Sequence, residues 1–306
     1  MRGHLRIKSP WSQLWLLLGF FCFFFIITSS LSLVIYKSYG INMSFPETVN
    51  LNDFHVVNVL KWTQALSTVL FFVPPVLVYL FMSFPGNYGY FLGFRKAEKA
   101  NMYVLGVIGI LLVMPFVFWL GQLNQHIDLP RKFLEMEEEA SRFMIAFLKV
   151  NKPIDIIINV FIIALLPAVC EEIFFRGALQ RIIINITRNP WVGIVVTAIL
   201  FSALHMQFLG FLPRVFLGII LGAFYWFSGS LWTSIIPHFV NNAVQVIVAS
   251  YAPKYIDKNP ETPVLAALAS GIVVWAILWY YQKQSSITYS KVYQTDELTP
   301  TNQFLA

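Results

Sequence analysis

The chain has 306 residues, 58% hydrophobic, 17% aromatic and only 12% charged, with a formal net charge of +6. A soluble domain is about 45–50% apolar and about 25% charged, so this composition argues against a water-soluble fold and for a surface built for lipid. The Lys and Arg residues lie in short connections and form no basic stripe, which argues against nucleic acid as a partner, while Cys22 and Cys170 sit in apolar runs and offer neither a disulfide framework nor a CxxC metal site.

Along the chain, Arg2, Arg6 and Lys8 precede an apolar stretch from Trp11 to Tyr36. It is longer than the core of a signal peptide and lacks a clean small-x-small cleavage site, so it reads as a permanent first helix whose Phe21 to Phe25 cluster faces lipid. A bilayer core takes about 20 apolar residues per helix. On that measure about eight spans are expected, near residues 12–36, 57–83, 101–123, 155–180, 191–209, 212–228, 231–250 and 262–282. The expected fold is an all-α polytopic membrane protein. Its parts are N-terminal helices with an outer connection (1–154), a membrane core (155–250), and a last helix with a polar tail (251–306). Lys61, near one end of the second span, reads as a lysine snorkelling to the interface.

The basic connections with Arg95, Lys96 and Lys99 and with Arg181 and Arg188 fall on the side of the N-terminus. By the positive-inside rule that side is cytoplasmic, with both termini there, in the plasma membrane; the tail after Tyr281 is expected to be mobile. The connection 124–154 then lies outside. It carries Glu135, Glu137, Glu138 and Glu139, and Phe133, Met136, Phe143, Met144 and Phe147 recur in it at helical spacing. It reads either as an amphipathic helix on the outer interface or as a short solvated helix tethered by its neighbours.

Three places put ionisable or strongly polar groups into spans: Glu171, Glu172 and Arg176; His205; and His238 with Asn242. A charge near the bilayer centre costs about 2.5–3.5 kcal/mol, which makes a functional site the first hypothesis. Arg176 lies four residues after Glu172, on the same helical face, and is its natural ion-pair partner. Glu171 points about 100° away, free to face a cavity and take a proton from water beside an imidazole. His238 and Asn242 are also four apart and form a pair of donors suited to a developing oxyanion; Pro237 removes a backbone hydrogen bond just before them. If the bilayer boundary lies near Leu179, Glu171 is about 12 Å deep at 1.5 Å per residue, and the site is expected to open toward the cytoplasm.

Glu-Glu-x-x-x-Arg, then Phe-x-x-x-His, then His-x-x-x-Asn in successive helices resembles the CPBP family, the CAAX prenyl endopeptidases and bacteriocin-processing or self-immunity membrane proteins. The resemblance covers about residues 156–250. It implies an intramembrane endopeptidase acting on a membrane-associated protein or peptide, prenylated CAAX proteins being the family's eukaryotic theme. By the resemblance, Glu171 activates water with His205, His238 and Asn242 stabilise the oxyanion, and Glu172 and Arg176 support them.

The cofactor stays open. Glu171, His205 and His238 offer one carboxylate and two imidazoles to a zinc ion, but there is no HExxH, and the same residues serve a metal-free hydrolysis. Two rival readings remain: a non-catalytic scaffold or bacteriocin immunity factor that keeps the polar core as architecture, and a proton-coupled transporter, which the lack of an inverted repeat disfavours. Cys170, in an apolar helix, reads as a small inert hydrophobe rather than a nucleophile.

Overall fold

The computed structural model describes residues 7–84, 86–253 and 260–293. Arg2, Arg6 and the polar tail beyond Tyr293 lie outside the described residues. The apolar runs are helices: α1 (Pro10–Ser38), α2 (Phe54–Ser83), and α3 (Asn101–Leu112), which bends by 41° into α4 (Met114–Gln125). After the amphipathic α5 (Arg131–Leu148) come α6 (Pro153–Thr187), α7 (Pro190–Leu204), α8 (Phe211–Ser228), α9 (Trp232–Tyr251) and α10 (Val264–Gln284).

The fold is all-α and polytopic. Among the described residues, α1, α2, α6, the segment Phe208–Ser228 and α10 are long and apolar enough to cross a membrane, and the bent pair α3–α4 makes a sixth if counted as one span. The expected figure of eight therefore exceeds what helix length and apolarity support. The difference lies in the site region. α7 has 15 residues, about 22 Å at 1.5 Å per residue against a bilayer core of about 30 Å. α9 is a continuous helix of 20 residues, but Pro237, His238, Asn241 and Asn242 interrupt its apolar run. Outward faces are apolar: Trp15 on α1 is 68% exposed and Leu265 on α10 is 81% exposed, as suits residues solvated by lipid rather than water.

The interior is knitted by aromatic rings and close backbone contacts. Phe21 of α1 packs on Phe71 of α2 (4.3 Å between centroids) and on Phe174 of α6 (4.8 Å), so part of the cluster expected to face lipid turns inward, while Phe23 and Phe25 remain exposed. The hairpin of α7 and α8 closes through Gly218, where a Cβ would stand 2.9 Å from the Ala198 Cβ. Gly93, in the left-handed region at φ +95°, ends the short helix Tyr88–Leu92; its carbonyl accepts the Leu231 N–H at 2.7 Å and ties that turn to the start of α9.

Two basic residues depart from their sequence reading. Lys61 does not snorkel: it is 5% exposed and donates to Asn159 Oδ1 of α6 at 2.7 Å. Arg181, expected in a basic connection, is buried in α6, where it donates to the Phe91 carbonyl and lies 3.7 Å over the Phe91 ring. Both find partners inside the bundle, which a count of charges per connection does not register.

α5 forms as expected but is docked on the bundle. Phe133 packs on Phe208 (4.6 Å), Glu137 accepts the Leu209 N–H at 2.9 Å, Arg142 donates to the carbonyls of Pro46 and Glu47, and Leu148 is buried with Val246 and Ala164. These contacts tether α5 to its neighbours, from the α7–α8 loop to α6 and α9.

Candidate active site

α6 supplies the acidic part of the site. It runs as a π-helix over Val160–Leu165 and again over Ile173–Gln180, with Glu171 and Glu172 in the α-helical turns between. The first π stretch has a chemical cause: Pro167 has no N–H for the carbonyl four residues back, at Ile163, and its ring crowds that carbonyl. Such π turns recur at functional sites because they re-aim side chains within a continuous helix.

Glu172 and Arg176 are both fully buried, and Glu172 Oε1 accepts from Arg176 Nη1 at 2.7 Å. Arg176 Nη2 donates to the Gly218 carbonyl of α8 at 3.1 Å, and its guanidinium lies 4.9 Å from the centre of the Phe201 ring. One turn on, Gln180 Nε2 donates to the Gly222 carbonyl at 3.0 Å. Arg176 and Gln180, four apart on α6, thus grip the backbone of Gly218 and Gly222, four apart on α8. A Cβ at Gly222 would stand 2.6 Å from Gln180 Oε1 and 3.1 Å from Ile194 Cγ2, so it would disturb this grip. This small-xxx-small contact of membrane helices is reinforced by side-chain hydrogen bonds.

The same Glu172 Oε1 also meets His238 Nδ1 of α9 at 2.8 Å. A carboxylate paired with Arg176 accepts, so Nδ1 carries the proton and Nε2 is the ring nitrogen turned to the site. Glu171 Oε2 lies 3.8 Å from that Nε2. Among the described residues Glu171 makes no hydrogen bond through its carboxylate within 3.5 Å. It is the one of the two glutamates with its carboxylate left for another partner. His205 stands at the C-terminal end of α7, its Nδ1 2.8 Å from the Phe201 carbonyl, which again assigns the proton to Nδ1 and leaves Nε2 as an acceptor. Glu171, Arg214 and His238 all lie within electrostatic range of His205. Phe201 is the common wall, with its ring 4.8 Å from His205 and 6.0 Å from His238.

The residues expected at the site are thus placed unequally. Glu171, Glu172, Arg176 and His238 form one connected cluster, and His205 faces it across Phe201. Asn242 is half-buried; its Oδ1 accepts from Asn241 Nδ2 at 3.2 Å, and it bonds none of the other site residues. Among the described residues no group of three or more His, Cys, Asp or Glu side chains is arranged to hold a metal ion. Glu171, His205 and His238 are therefore not brought together as the zinc set that their identities allow, although the Nδ1 contacts to a carbonyl and a carboxylate leave the Nε2 atom of each ring free.

The loop carrying His205 is clamped on the α5 side of the bundle. Asn124, 1% exposed at the end of α4, donates to the Phe208 carbonyl at 2.7 Å and accepts from the Leu212 N–H at 3.0 Å; Ser202 donates to the Phe211 carbonyl at 2.9 Å. Met206 follows His205 in the left-handed region at φ 53°, a strained state for a non-glycine residue that stops α7 at once. That end of α7 lies opposite the Arg181–Arg188 turn, from which α7 starts. The expectation that the site opens toward that turn does not follow from the packing, because α7 ends at Leu204 and its loop sits under α5.

Sequence reasoning missed Arg214, in the first turns of α8. Its charge was legible, but nothing in the spacing of one arginine in a span says that it returns toward a glutamate two helices earlier.

Residues 153–244 match a family model, the type II CAAX prenyl endopeptidase Rce1-like family. The matched segment is just under a third of the chain and contains Glu171, Glu172, Arg176, His205, His238 and Asn242. No curated protein and no solved structure matches the chain.

Proposed function

We propose that this integral membrane protein is an endopeptidase that hydrolyses a peptide bond of a membrane-associated protein or peptide, of the prenylated CAAX type named by the matched family. The observation that carries the reading is the division between the two glutamates. Glu172 is consumed by Arg176 and His238, while Glu171 stands 3.8 Å from His238 Nε2 with no hydrogen bond of its own.

In this mechanism a water lies between Glu171 and the imidazoles. Glu171 takes its proton as the oxygen attacks the scissile carbonyl, and the proton passes to the leaving amine as the carbon–nitrogen bond breaks. His205 Nε2 holds the water. His238 Nε2, when protonated, donates to the oxyanion, with Asn242 as the second donor after a rotation that frees its amide from Asn241. Glu172 and Arg176 fix the His238 ring rather than touch substrate. We place the protein in the plasma membrane with cytoplasmic termini, a reading that the basic connection with Arg95, Lys96 and Lys99 supports.

That orientation supports a second reading of the substrate. It places α5 outside, and the His205 loop sits against α5, so a peptide anchored in the outer leaflet reaches the site more directly than a cytoplasmic prenyl protein. Mapping single cysteines in the α5 segment with a membrane-impermeant thiol reagent decides between the two. For the reaction itself, purified protein reconstituted in lipid is incubated with an S-farnesyl peptide and with membrane-protein fragments, and products are identified by mass spectrometry. Cleavage by the native chain and none by Glu171→Gln supports the reading; a folded Glu171→Gln protein with unchanged cellular activity points to the scaffold.

A further inference from the structure

Arg214 is a half-buried cation that the mechanism above does not use. It lies in the first turns of α8, where the helix dipole disfavours positive charge. Its Nε and Nη2 are buried and have no hydrogen-bond partner. Its Nη1 folds back over the loop, 2.6 Å from where a Cβ on Gly210 would stand, so a side chain there would displace the guanidinium. The carboxylates that act on it are Glu137 of α5 and Glu171, neither of them hydrogen-bonded to it, and Glu137 Oε1 is held by the Leu209 N–H. Arg214 also lies within electrostatic range of His205.

A guanidinium with two buried, unsatisfied donors is costly, and the fork of an arginine matches a carboxylate with two parallel hydrogen bonds. Arg176 and Arg181 each donate to acceptors of the protein, whereas the Nε and Nη2 of Arg214 donate to none, and Glu171, assigned to the water, lies within its electrostatic range.

We propose that Arg214 is the carboxylate receptor of this site, binding an anionic group of the peptide substrate and so fixing which bond lies over Glu171. This rests on the peptidase reading for its consequence but not for its binding test. The free C-terminal carboxylate of a peptide and an acidic side chain near the scissile bond present the same group, and the experiment separates them. A binding site for the terminal carboxylate makes the enzyme one that removes a short C-terminal piece; a site for a side chain makes it an internal endopeptidase with an acidic preference.

The test uses the full chain in detergent carrying Glu171→Gln, so that a bound peptide is not cleaved. The probes are a fluorescent S-farnesyl tetrapeptide with aliphatic residues after the cysteine, as the free acid and as the C-terminal amide, and the amide with one aliphatic residue replaced by Glu. Binding is read by fluorescence anisotropy. The free acid is expected to bind about thirtyfold tighter than the amide, as fits loss of a charged hydrogen-bonding partner. Adding Arg214→Gln should abolish that preference while leaving amide binding within about threefold, and Arg214→Lys should restore part of it because it keeps the charge without the fork. If only the Glu-containing amide shows the Arg214-dependent gain, the receptor reads a side chain. Equal binding of all three probes, no binding of any, or an equal loss for acid and amide on Arg214→Gln overturns the proposal. Cleavage by the chain with native Glu171 is measured in parallel: an Arg214-dependent preference without cleavage leaves the receptor standing and refutes the peptidase.

Discussion

Replacing Glu172 by Leu is expected to destabilise the protein far more than a surface change, and the structure says by how much. Its carboxylate and the Arg176 guanidinium are both fully buried, 2.7 Å apart. Removing one partner of such a pair costs about 3–5 kcal/mol, because the survivor is left as an uncompensated buried charge. Arg176 would retain the Gly218 carbonyl at 3.1 Å and the Phe201 ring face, neither of which carries net charge, and the more distant influence of Glu171. We therefore place the loss near the low end, about 3 kcal/mol, or about 6 °C in melting temperature for a chain of this size. Arg176→Met should cost a similar amount. The double variant Glu172→Leu/Arg176→Met should fall no lower than the worse single one, a coupling of at least about 3 kcal/mol, since two apolar residues of similar volume replace a pair whose desolvation offsets its attraction. The assay is thermal unfolding followed with a thiol-reactive dye in a Cys22→Ser background, which reports exposure of Cys170, 3% exposed in the fold. Single variants as stable as the native chain, or a double variant as unstable as the two losses added, would refute the reasoning. The double variant should also be inactive although folded, because His238 loses the acceptor that orients it.

Two further perturbations probe the frame around the site. Gly218→Ala sets a Cβ 2.9 Å from the Ala198 Cβ and 3.2 Å from its Cα, so α7 must move off α8; the expected cost is about 1–3 kcal/mol, read in the same melt, and the Arg176 contact to the Gly218 carbonyl should lengthen. Asn124→Ala removes both bonds that hold the His205 loop to α4 and leaves partly buried backbone groups at Phe208 and Leu212 without them, at about 1–3 kcal/mol. Its sharper signature is limited proteolysis, which should begin to cut between Met206 and Leu209; a cleavage pattern identical to the native chain's would mean that Glu137 and α5 hold the loop alone.

Much of the site was legible because helical spacing is a local rule. Glu172 and Arg176 at i and i+4 had to share a face, and they pair at 2.7 Å; Glu171 had to turn away from that face, and it makes no hydrogen bond of its own. What the spacing could not carry were contacts between helices. The Glu172 carboxylate serves His238 as well as Arg176, Lys61 reaches Asn159 nearly a hundred residues later, and Arg181 sits under Phe91 rather than in a basic connection. The end of α7 falls short of the expected span near 191–209 for a local reason that hydropathy hides: Met206 takes a left-handed conformation and ends α7, although the apolar run continues through Phe208 and Leu209. Asn242 shows the converse limit, since sharing a face with His238 does not by itself bring its amide to the cluster.

The most direct measurement is the cleavage of a lipidated peptide by the purified, reconstituted chain and by Glu171→Gln, with folding of both checked by melting. Glu171 holds no structural bond, so the account predicts a variant as stable as the native chain, within about 1 kcal/mol, yet slower by at least the 10²–10⁴-fold that a general base contributes. A variant that melts like the native protein and cleaves the same peptides at the same rate would contradict the account.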